Sequence, residues 1–322
     1  MAQKGPGKSF RKGMSWVDLL KMFPDNDTAE KWFAHLRWGG KPTCPKCGSD
    51  NVLVGAAHAS MPYRCRTCSK RFSVRIGTVM QDSKLGYQVW AIALYIITTS
   101  IKGVSSMKLH RDLGVTQKTA WHLAMRIRET WNNRSFSFFD GPTEVDETYI
   151  GGKEKNKHEY KKLNAGRGTV GKTAVVGAKD RSTNEIQALV VQNTTAKTLT
   201  GFVYNSSKAG SYVYTDDATA YDSLKGYNHQ TVKHSVKQYV DGMAHTNGIE
   251  SFWALLKRGY YGTYHHMSPW QLQRYVNEFS GRHNARCMDT ERQMERMAIG
   301  FVGKRLTYYR LKSSNPNRVT AR

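Results

Sequence analysis

Residues 143–150, Thr-Glu-Val-Asp-Glu-Thr-Tyr-Ile, mark the point where this chain of 322 residues changes from helical to strand-forming sequence. Before this stretch, apolar side chains recur at helical spacing. After it, β-rich runs are separated by turn-forming residues, and helix-forming segments follow the third run. We predict strands over residues 143–150, 172–179, 185–192, 212–215 and 230–234, and helices over residues 195–208, 218–224, 248–257 and 269–279. The predicted fold class is therefore mixed α/β.

The order of these elements indicates a particular type of sheet. Three consecutive strands are followed by a helix, a strand, a helix, a strand and a helix. This order is typical of a ribonuclease H-like mixed sheet that is flanked by helices.

The composition is strongly basic. Lys and Arg total 49 against 25 Asp and Glu, which gives a formal net charge of +24. A compact chain with this charge repels itself unless it has an anionic partner, and nucleic acid is the first candidate. The longest apolar-leaning uncharged stretch, residues 85–101, contains several polar residues and predicts a buried core helix rather than a membrane span. We expect a soluble cytoplasmic protein that is associated with the nucleoid. Its expected partner is double-stranded DNA, and we expect no binding to a membrane.

Four of the five cysteines form two Cys-x-x-Cys pairs, Cys44 with Cys47 and Cys65 with Cys68. Each pair places two thiolates on one tight turn, and two such turns supply the four tetrahedral ligands of a closed structural Zn²⁺ site. The spacing between the pairs is typical of a zinc ribbon, whereas a thioredoxin-like redox site needs one such motif beside a βαβ unit. Basic residues around the second pair favour a ribbon that contacts DNA. A protein-facing or purely structural ribbon stays open.

Residues 85–131 are helical by pattern and divide into three helices. The second ends near Leu113, Gly114 makes a turn, and Thr116 can cap a third helix. A helix, a short glycine-containing turn and a helix are typical of a helix-turn-helix motif, whose second helix contacts the DNA groove. The polar residues predicted to contact DNA are Gln117, Lys118, Thr119, His122 and Arg126. A plain helical hairpin with a solvated basic face is the alternative.

Two further segments are more basic than solvation requires. The loop of residues 151–171 carries six basic side chains, among which we predict phosphate contacts for Lys153 and Lys155. The sequence from Lys304 to the C-terminus is rich in Lys and Arg and predicts a mobile basic arm.

Acidic residues are scarce, so those at strand ends on a basic face need an explanation. Asp146 lies within the first strand, Asp216 closes the fourth, and Glu250 opens the helix after the fifth. If adjacent parallel strands place Asp146 beside Asp216, the two carboxylates repel each other unless a hard divalent cation with oxygen ligands neutralises their charge. Two Mg²⁺ ions about 4 Å apart can support an in-line phosphodiester displacement. Lys257 lies about two helical turns after Glu250 and, with Arg258, would contact a DNA phosphate on the same face.

These motifs together resemble those of the zinc-ribbon-bearing Asp/Asp/Glu transposases of bacterial insertion sequences, which are relatives of the Merlin elements. The resemblance covers roughly residues 15–300. Besides the cysteine pairs, it rests on Val-Asp-Glu-Thr-Tyr-Ile-Gly-Gly-Lys (145–153), Thr-Asp (215–216), His-Thr-Asn-Gly-Ile-Glu-Ser-Phe-Trp (245–253), Tyr-Gly-Thr-Tyr-His-His (261–266) and Arg-His-Asn (282–284).

The resemblance implies a function and a site. It implies a ribonuclease H-like catalytic core that depends on two Mg²⁺ ions, with Mn²⁺ possible in their place. Asp146, Asp216 and Glu250 match the catalytic and metal-binding triad. The implied reaction is cleavage and strand transfer at the terminal inverted repeats of the element. Because two DNA ends must be processed together, we expect a homodimer or a larger synaptic assembly.

Some assignments stay open in the sequence. Glu147 and Asp217 directly follow the two aspartates, and because successive strand residues point to opposite faces, only one of each pair can enter the site. Asn247 lies one helical turn before Glu250, but an amide does not neutralise metal charge as a carboxylate does. A catalytically inactive DNA-binding regulator and a nuclease without strand transfer are the alternative functions.

The motifs divide the chain into five predicted segments. They are a basic helical N-terminus (1–40), a zinc ribbon (41–82), a helix-turn-helix segment (83–135), a ribonuclease H-like catalytic domain (140–285) and a basic C-terminal tail (286–322).

Overall fold

A computed structural model describes residues 11–58, 60–131, 138–152, 154–163, 168–216, 218–232 and 245–312. Two compact units are present, one formed by Met1–Asn132 with Cys287–Arg322 and the other by Asn133–Arg286. None of the helices in these described ranges is long and apolar enough to cross a membrane.

The elements alternate between helical and strand-rich regions along the chain. In order they are α1 (Trp16–Met22), α2 (Asn26–Trp38), β1 (Val52–Val54), β2 (Tyr63–Cys65), β3 (Arg71–Phe72), α3 (Tyr87–Thr99), α4 (Ser106–Leu113), α5 (Gln117–Glu129), β4 (Thr143–Ile150), β5 (Thr173–Asp180), β6 (Ile186–Val191), α6 (Ala196–Ser206), β7 (Tyr212–Asp216), β8 (Asn228–Val232), α7 (Asn247–Gly259), α8 (Pro269–Asn284), α9 (Thr290–Ile299) and α10 (Tyr308–Lys312).

Helix α3 is the buried centre of the first unit, as predicted for residues 85–101. Trp90 and Leu94 are fully buried in it. Helix α9 packs against α3 and contributes Met297 to the same core, and Phe301 after it stacks on Phe33 of α2 with the ring centroids 5.8 Å apart. Residues near the C-terminus therefore complete the core of the N-terminal unit.

The end of the described chain is also folded onto this unit. Leu306 and Leu311 are buried, and Arg305 pairs with Asp82 at 2.6 Å. The prediction of a mobile arm is therefore wrong for residues 304–312. The reason is that two leucines with a buried surface outweigh the basic composition of this segment.

Helices α4 and α5 form the predicted helix-turn-helix arrangement. Ser105 and Thr116 cap the two helices by accepting hydrogen bonds from backbone N–H groups in their first turns. The turn between the helices begins at Gly114, whose φ of +62° suits a residue without a Cβ atom.

The second unit contains the predicted ribonuclease H-like sheet. Its five strands lie in the order β6-β5-β4-β7-β8. Strand β5 is antiparallel to both of its neighbours, β4 and β6, whereas β7 is parallel to β4 and β8 is parallel to β7. Helix α6 packs on one face through Leu199 and Val203. Helix α7 packs on the other face. The helix predicted over residues 218–224 is instead a short 3₁₀ turn, Thr219–Tyr221.

Helix α8 protects the edge of this sheet. The Asn284 side chain accepts a hydrogen bond from the Ile186 backbone N–H (2.8 Å) and donates one to the carbonyl of the same residue (3.0 Å). Gln273 makes the equivalent pair of contacts with Val190 and Ala188. Four outward backbone groups of β6 are thus bound by side chains of α8, which hinders pairing of this edge with another strand.

Candidate functional site

The four predicted zinc ligands converge in the ribbon. The Sγ atoms of Cys44 and Cys68 are 3.6 Å apart, as are those of Cys47 and Cys65, and all four lie within 4.8 Å of one another. Four sulfurs about 2.3 Å from one ion in a tetrahedron are about 3.8 Å apart. The donor set therefore fits a structural zinc ion.

The two cysteine pairs lie on two turns of the same type. The Cys44 N–H donates to the Ser49 carbonyl, and the Cys65 N–H donates to the Lys70 carbonyl, each at 2.9 Å. The residue after each pair has left-handed backbone, with φ of +73° at Gly48 and +57° at Ser69. The small residues in these two places are what so tight a turn requires.

The sheet of the ribbon brings like charges together. Arg64 on β2 is directly opposite Arg71 on β3, and both side chains are exposed. Arg66 and Lys70, between them in sequence, are exposed as well. Like charges in opposite positions of a sheet destabilise it, and an anionic partner would remove that cost.

Two of the predicted catalytic acids lie at the junction of β4 and β7. These strands are parallel, and Glu144 is paired with Tyr214. Continued for two residues beyond this last pair, the same register matches Asp146 with Asp216. The fold thus brings both aspartates to matching positions on two neighbouring strands.

The electrostatics of this region link all three acids. Burial and, next, the charge of Asp216 raise the pKa of Asp146 to about 7, and the charge of Glu250 contributes in the same direction. Over the described ranges, the ribbon cysteines are the one group of three or more His, Cys, Asp or Glu side chains whose ligand atoms converge sufficiently to hold a metal. The three acids interact through their charges without forming such a closed group.

A glycine allows α7 to lie close to Asp146. Gly177 on β5 is paired with Asp146 on β4. A Cβ atom at Gly177 would be 2.6 Å from Cη2 of Trp253 on α7, so no larger residue fits without displacing the indole. The indole of Trp253 is buried and has a small lowering effect on the pKa of Asp146.

Sequence reasoning missed Glu144, which anchors the start of α7. Its carboxylate forms an ion pair with Arg181 (Nε to Oε1, 2.8 Å) and accepts a hydrogen bond from the Ile249 backbone N–H at 2.9 Å. Arg181 also donates to the His245 carbonyl, just before the helix, at 2.6 Å. Glu144 has 2% of its side chain exposed. It therefore joins β4 directly to the first turn of α7.

This anchor connects two of the predicted catalytic residues. Glu144 lies two residues before Asp146, on the same face of β4, and the backbone N–H that it holds is one residue before Glu250. A Cβ atom at Gly248 would be 2.6 Å from the Glu144 carboxylate, so the glycine permits the close approach. The two-residue period of a strand was the signal that could have identified Glu144.

The alternatives to the three acids have different surroundings. Glu147 accepts a hydrogen bond from the Tyr221 hydroxyl at 2.9 Å, and burial is the main cause that raises its pKa to about 7. Tyr221 belongs to the core cluster on the α6 side of the sheet, opposite the face that carries α7. Asn247 is exposed at the start of α7, and Asp217 lies outside the described residues.

The predicted DNA-binding side chains of α5 divide into two groups. Gln117 and Lys118 are exposed, and Thr119 and His122 are half-buried. Arg126 is 7% exposed, and its Nε donates to the Leu306 carbonyl at 3.1 Å. The C-terminal segment covers this part of the helix, so the Arg126 side chain is buried against it, and its predicted DNA contact stays a prediction.

The remaining predicted DNA contacts lie in the second unit. Lys257 and Arg258 are exposed in the last turn of α7. Lys153 and the side chain of Lys155 are outside the described part of the chain.

Known families and relatives match both units. The ISXO2-like transposase domain matches residues 138–284, and the transposase zinc-ribbon domain matches residues 24–71. An uncharacterized protein in transposable element ISH50 of Halobacterium salinarum is 27% identical over 254 residues, which cover 74% of this chain and 84% of the relative.

Among solved structures, a chain of the simian T-cell lymphotropic virus intasome in complex with PP2A regulatory subunit B56 gamma is 14% identical. The match covers 53% of this chain and 67% of that one, with a TM-score of 0.29, which is too low to bear on the fold. The two matched domains together span the cysteine pairs and the five-stranded sheet. The chain therefore contains a transposase zinc-ribbon domain followed by an ISXO2-like transposase domain.

Proposed function

We propose that this protein is a DNA transposase that binds the terminal inverted repeats of its element and carries out Mg²⁺-dependent cleavage and strand transfer. Asp146, Asp216 and Glu250 are the proposed catalytic residues and Mg²⁺ ligands. The observation that carries this proposal is the parallel register of β4 and β7, which when continued matches Asp146 with Asp216. Burial and the charges of Asp216 and Glu250 raise the pKa of Asp146 to about 7. Three carboxylates that are distant in sequence therefore act on one another in the domain that matches a transposase family.

The chemistry of the donor set fits Mg²⁺. Carboxylate oxygens are its preferred protein ligands, and the ion keeps coordination positions for water and substrate phosphate. A divalent cation also offsets the mutual repulsion that raises the pKa of Asp146. Two bound Mg²⁺ ions supply activation of the attacking oxygen and stabilisation of the leaving one.

The proposed reaction has two displacements at phosphorus. In the first, water attacks the phosphodiester at the element end, the bond to the 3′-oxygen breaks, and a free 3′-hydroxyl results. In the second, this hydroxyl attacks a target phosphodiester and displaces the target 3′-oxygen. No covalent bond to the protein forms. Lys257 and Arg258, exposed two turns after Glu250, are proposed to hold a phosphate along α7.

DNA recognition is proposed to use the first unit. The opposed Arg64 and Arg71 of the ribbon and the exposed Lys118 at the start of α5 supply positive charge that is available to phosphates. Gln117, beside Lys118, is an exposed polar side chain. Lys153 and Lys155 extend the proposed contacts to the catalytic domain. Since two ends must be joined together, we propose a homodimer or larger synaptic assembly.

The test is a cleavage and joining assay on a duplex taken from the end of the element. We expect Mg²⁺-dependent cleavage by the wild type, and loss of cleavage with DNA binding retained in Asp146→Asn, Asp216→Asn and Glu250→Gln. Asp222→Asn, which changes an exposed acid of the same unit, is the matched control and should cleave normally. Binding without cleavage by the wild type would instead identify a regulator, and cleavage without joining a nuclease.

A further inference from the structure

The C-terminal segment of residues 304–312 runs along one stripe of α5 in the direction opposite to the helix. Lys304 Nζ donates to the Thr130 carbonyl at 2.8 Å, and Arg126 Nε donates to the Leu306 carbonyl at 3.1 Å. Farther towards the start of α5, the Tyr308 ring contacts the His122 ring edge to face, with 5.5 Å between centroids. These contacts recur at every fourth residue, Thr130, Arg126 and His122, so residues 304–312 form a wall along one side of the helix.

At the start of α5 this wall gathers positive charge. Nζ of Lys118 lies 4.9 Å from the centroid of the Tyr308 ring, and Nζ of Lys312 lies 5.5 Å from the same centroid. Both distances are within the range of cation–π attraction. Both ammonium groups are exposed, and because like charges near one ring repel each other, a bound anion would offset that repulsion.

A cavity opens at the same place. Its volume is about 610 Å³, and Lys84, Lys118, Thr119, His122 and Tyr308 are among its lining residues. The carboxylate of Asp82, which also lines it, is paired with Arg305 at 2.6 Å. Because Asp82 is paired, the exposed ammonium groups of Lys84 and Lys118 give the cavity a net positive charge that suits an anionic ligand.

We propose that residues 304–312 form the second wall of the DNA-contacting surface of this unit, in which Lys118 and Lys312 together bind one backbone phosphate beside the start of α5. Tyr308 is the positioning residue that holds both lysines. The first turn of a recognition helix is the part that meets the groove, and phosphate contacts beside it fix the helix in register. This inference rests on the proposed function as a DNA-binding transposase, and it adds a contact that the helix-turn-helix alone does not contain.

The experiment measures binding of the full-length protein to a fluorescein-labelled duplex from the element end and to a scrambled duplex of equal length. Fluorescence anisotropy is recorded over a range of salt concentrations. A lost phosphate contact reduces the slope of log K against log [salt] by about 0.9, which is about fivefold in affinity at 0.15 M salt. We expect this loss in Lys312→Gln on both duplexes, because a phosphate contact does not read sequence.

Matched variants separate the contact from general effects of charge and folding. Lys21→Gln removes an exposed charge from α1 of the same unit and should leave the slope unchanged. Tyr308→Phe keeps the ring and should bind as the wild type does, whereas Tyr308→Ala should lose affinity and slope as Lys312→Gln does. Thermal melting of each variant checks that the unit is folded.

Two results would overturn the inference while leaving the proposed function intact. If Lys312→Gln binds both duplexes with the affinity and slope of the wild type, the segment is not a DNA contact. If Lys312→Gln or Tyr308→Ala binds more tightly than the wild type, the segment is a cover that DNA must displace. If the wild type itself binds neither duplex, both the inference and the proposed function fail.

Discussion

Replacing Glu144 by alanine should release the first turn of α7 from β4. Its carboxylate is 2% exposed, pairs with Arg181 at 2.8 Å and accepts the Ile249 N–H at 2.9 Å. Loss of one member of a buried ion pair costs about 3–5 kcal/mol, because the other charge stays in a poorly solvated position. Arg181 keeps the His245 carbonyl and the Tyr214 ring as partners. We therefore expect a loss near the lower limit, about 3 kcal/mol.

Calorimetric melting of the full-length protein measures this loss. For a unit of about 150 residues, 3 kcal/mol corresponds to a decrease in Tm of about 6–12 °C. Glu144→Gln keeps an acceptor for the Ile249 N–H and should melt between the wild type and Glu144→Ala. The matched control is Asp140→Asn, which breaks an ion pair with Lys208 whose side chains are 76% and 69% exposed. An exposed pair contributes little, so its Tm should change by less than about 1 °C.

Catalysis gives a second readout of the same anchor. At a temperature where Glu144→Gln is folded, cleavage should be slower and should need more Mg²⁺ for half-maximal rate, because loss of the Arg181 ion pair weakens the hold on the first turn of α7, which carries Glu250. If Glu144→Ala melts within about 2 °C of the wild type, the anchoring argument is refuted. If Glu144→Gln melts at a lower temperature than the wild type but its Mg²⁺ requirement is unchanged, Glu144 contributes to folding alone.

Three further predictions concern zinc, packing and pH. Purified protein should contain one zinc ion per chain by mass spectrometry, and Cys65→Ser should lose both the ion and the folded ribbon, because a structural zinc site supplies folding energy. Gly177→Ala should lower stability by about 1–3 kcal/mol in urea unfolding, because its Cβ atom would be 2.6 Å from the Trp253 ring; unchanged stability would contradict the close packing. Burial lowers the pKa of His283 to about 4, so the unfolded state, with its ordinary pKa near 6.5, binds more protons as the pH falls between these values. Stability should therefore be fully present above about pH 6.5 and decrease towards pH 4, and His283→Gln should make that decrease smaller when unfolding is followed at several pH values.

The parts of the fold that depend on local spacing could be predicted from the sequence. The sulfurs of Cys44 and Cys47 lie close together because only two residues separate the cysteines in the chain. Gly114 and Thr116 likewise determine a turn and a helix cap within a few residues. The succession of strands along the chain also follows from local patterns. These features do not depend on contacts with residues that are distant in the sequence.

The features that sequence reasoning missed depend on distant partners. The strand period places Glu144 on the same face as Asp146, but the backbone N–H that Glu144 binds is 105 residues away, and no local pattern identifies that partner. Arg126 has a polar position on its helix, but the carbonyl that it binds is 180 residues away. The identity of Asp146, Asp216 and Glu250 as a triad came from the family pattern, and the metal cluster that they would form stays a prediction.

The way in which the chain returns to its first unit has a consequence for protein synthesis. The core around Trp90 contains Met297 and Phe301, so a nascent chain that has emerged only as far as residue 286 lacks part of that core. By then all residues of the unit Asn133–Arg286 have been made. Since domains fold as their residues leave the ribosome, the inserted unit can finish folding before the one that begins earlier in the chain. The helix-turn-helix is thus fully supported only after translation has passed Leu311.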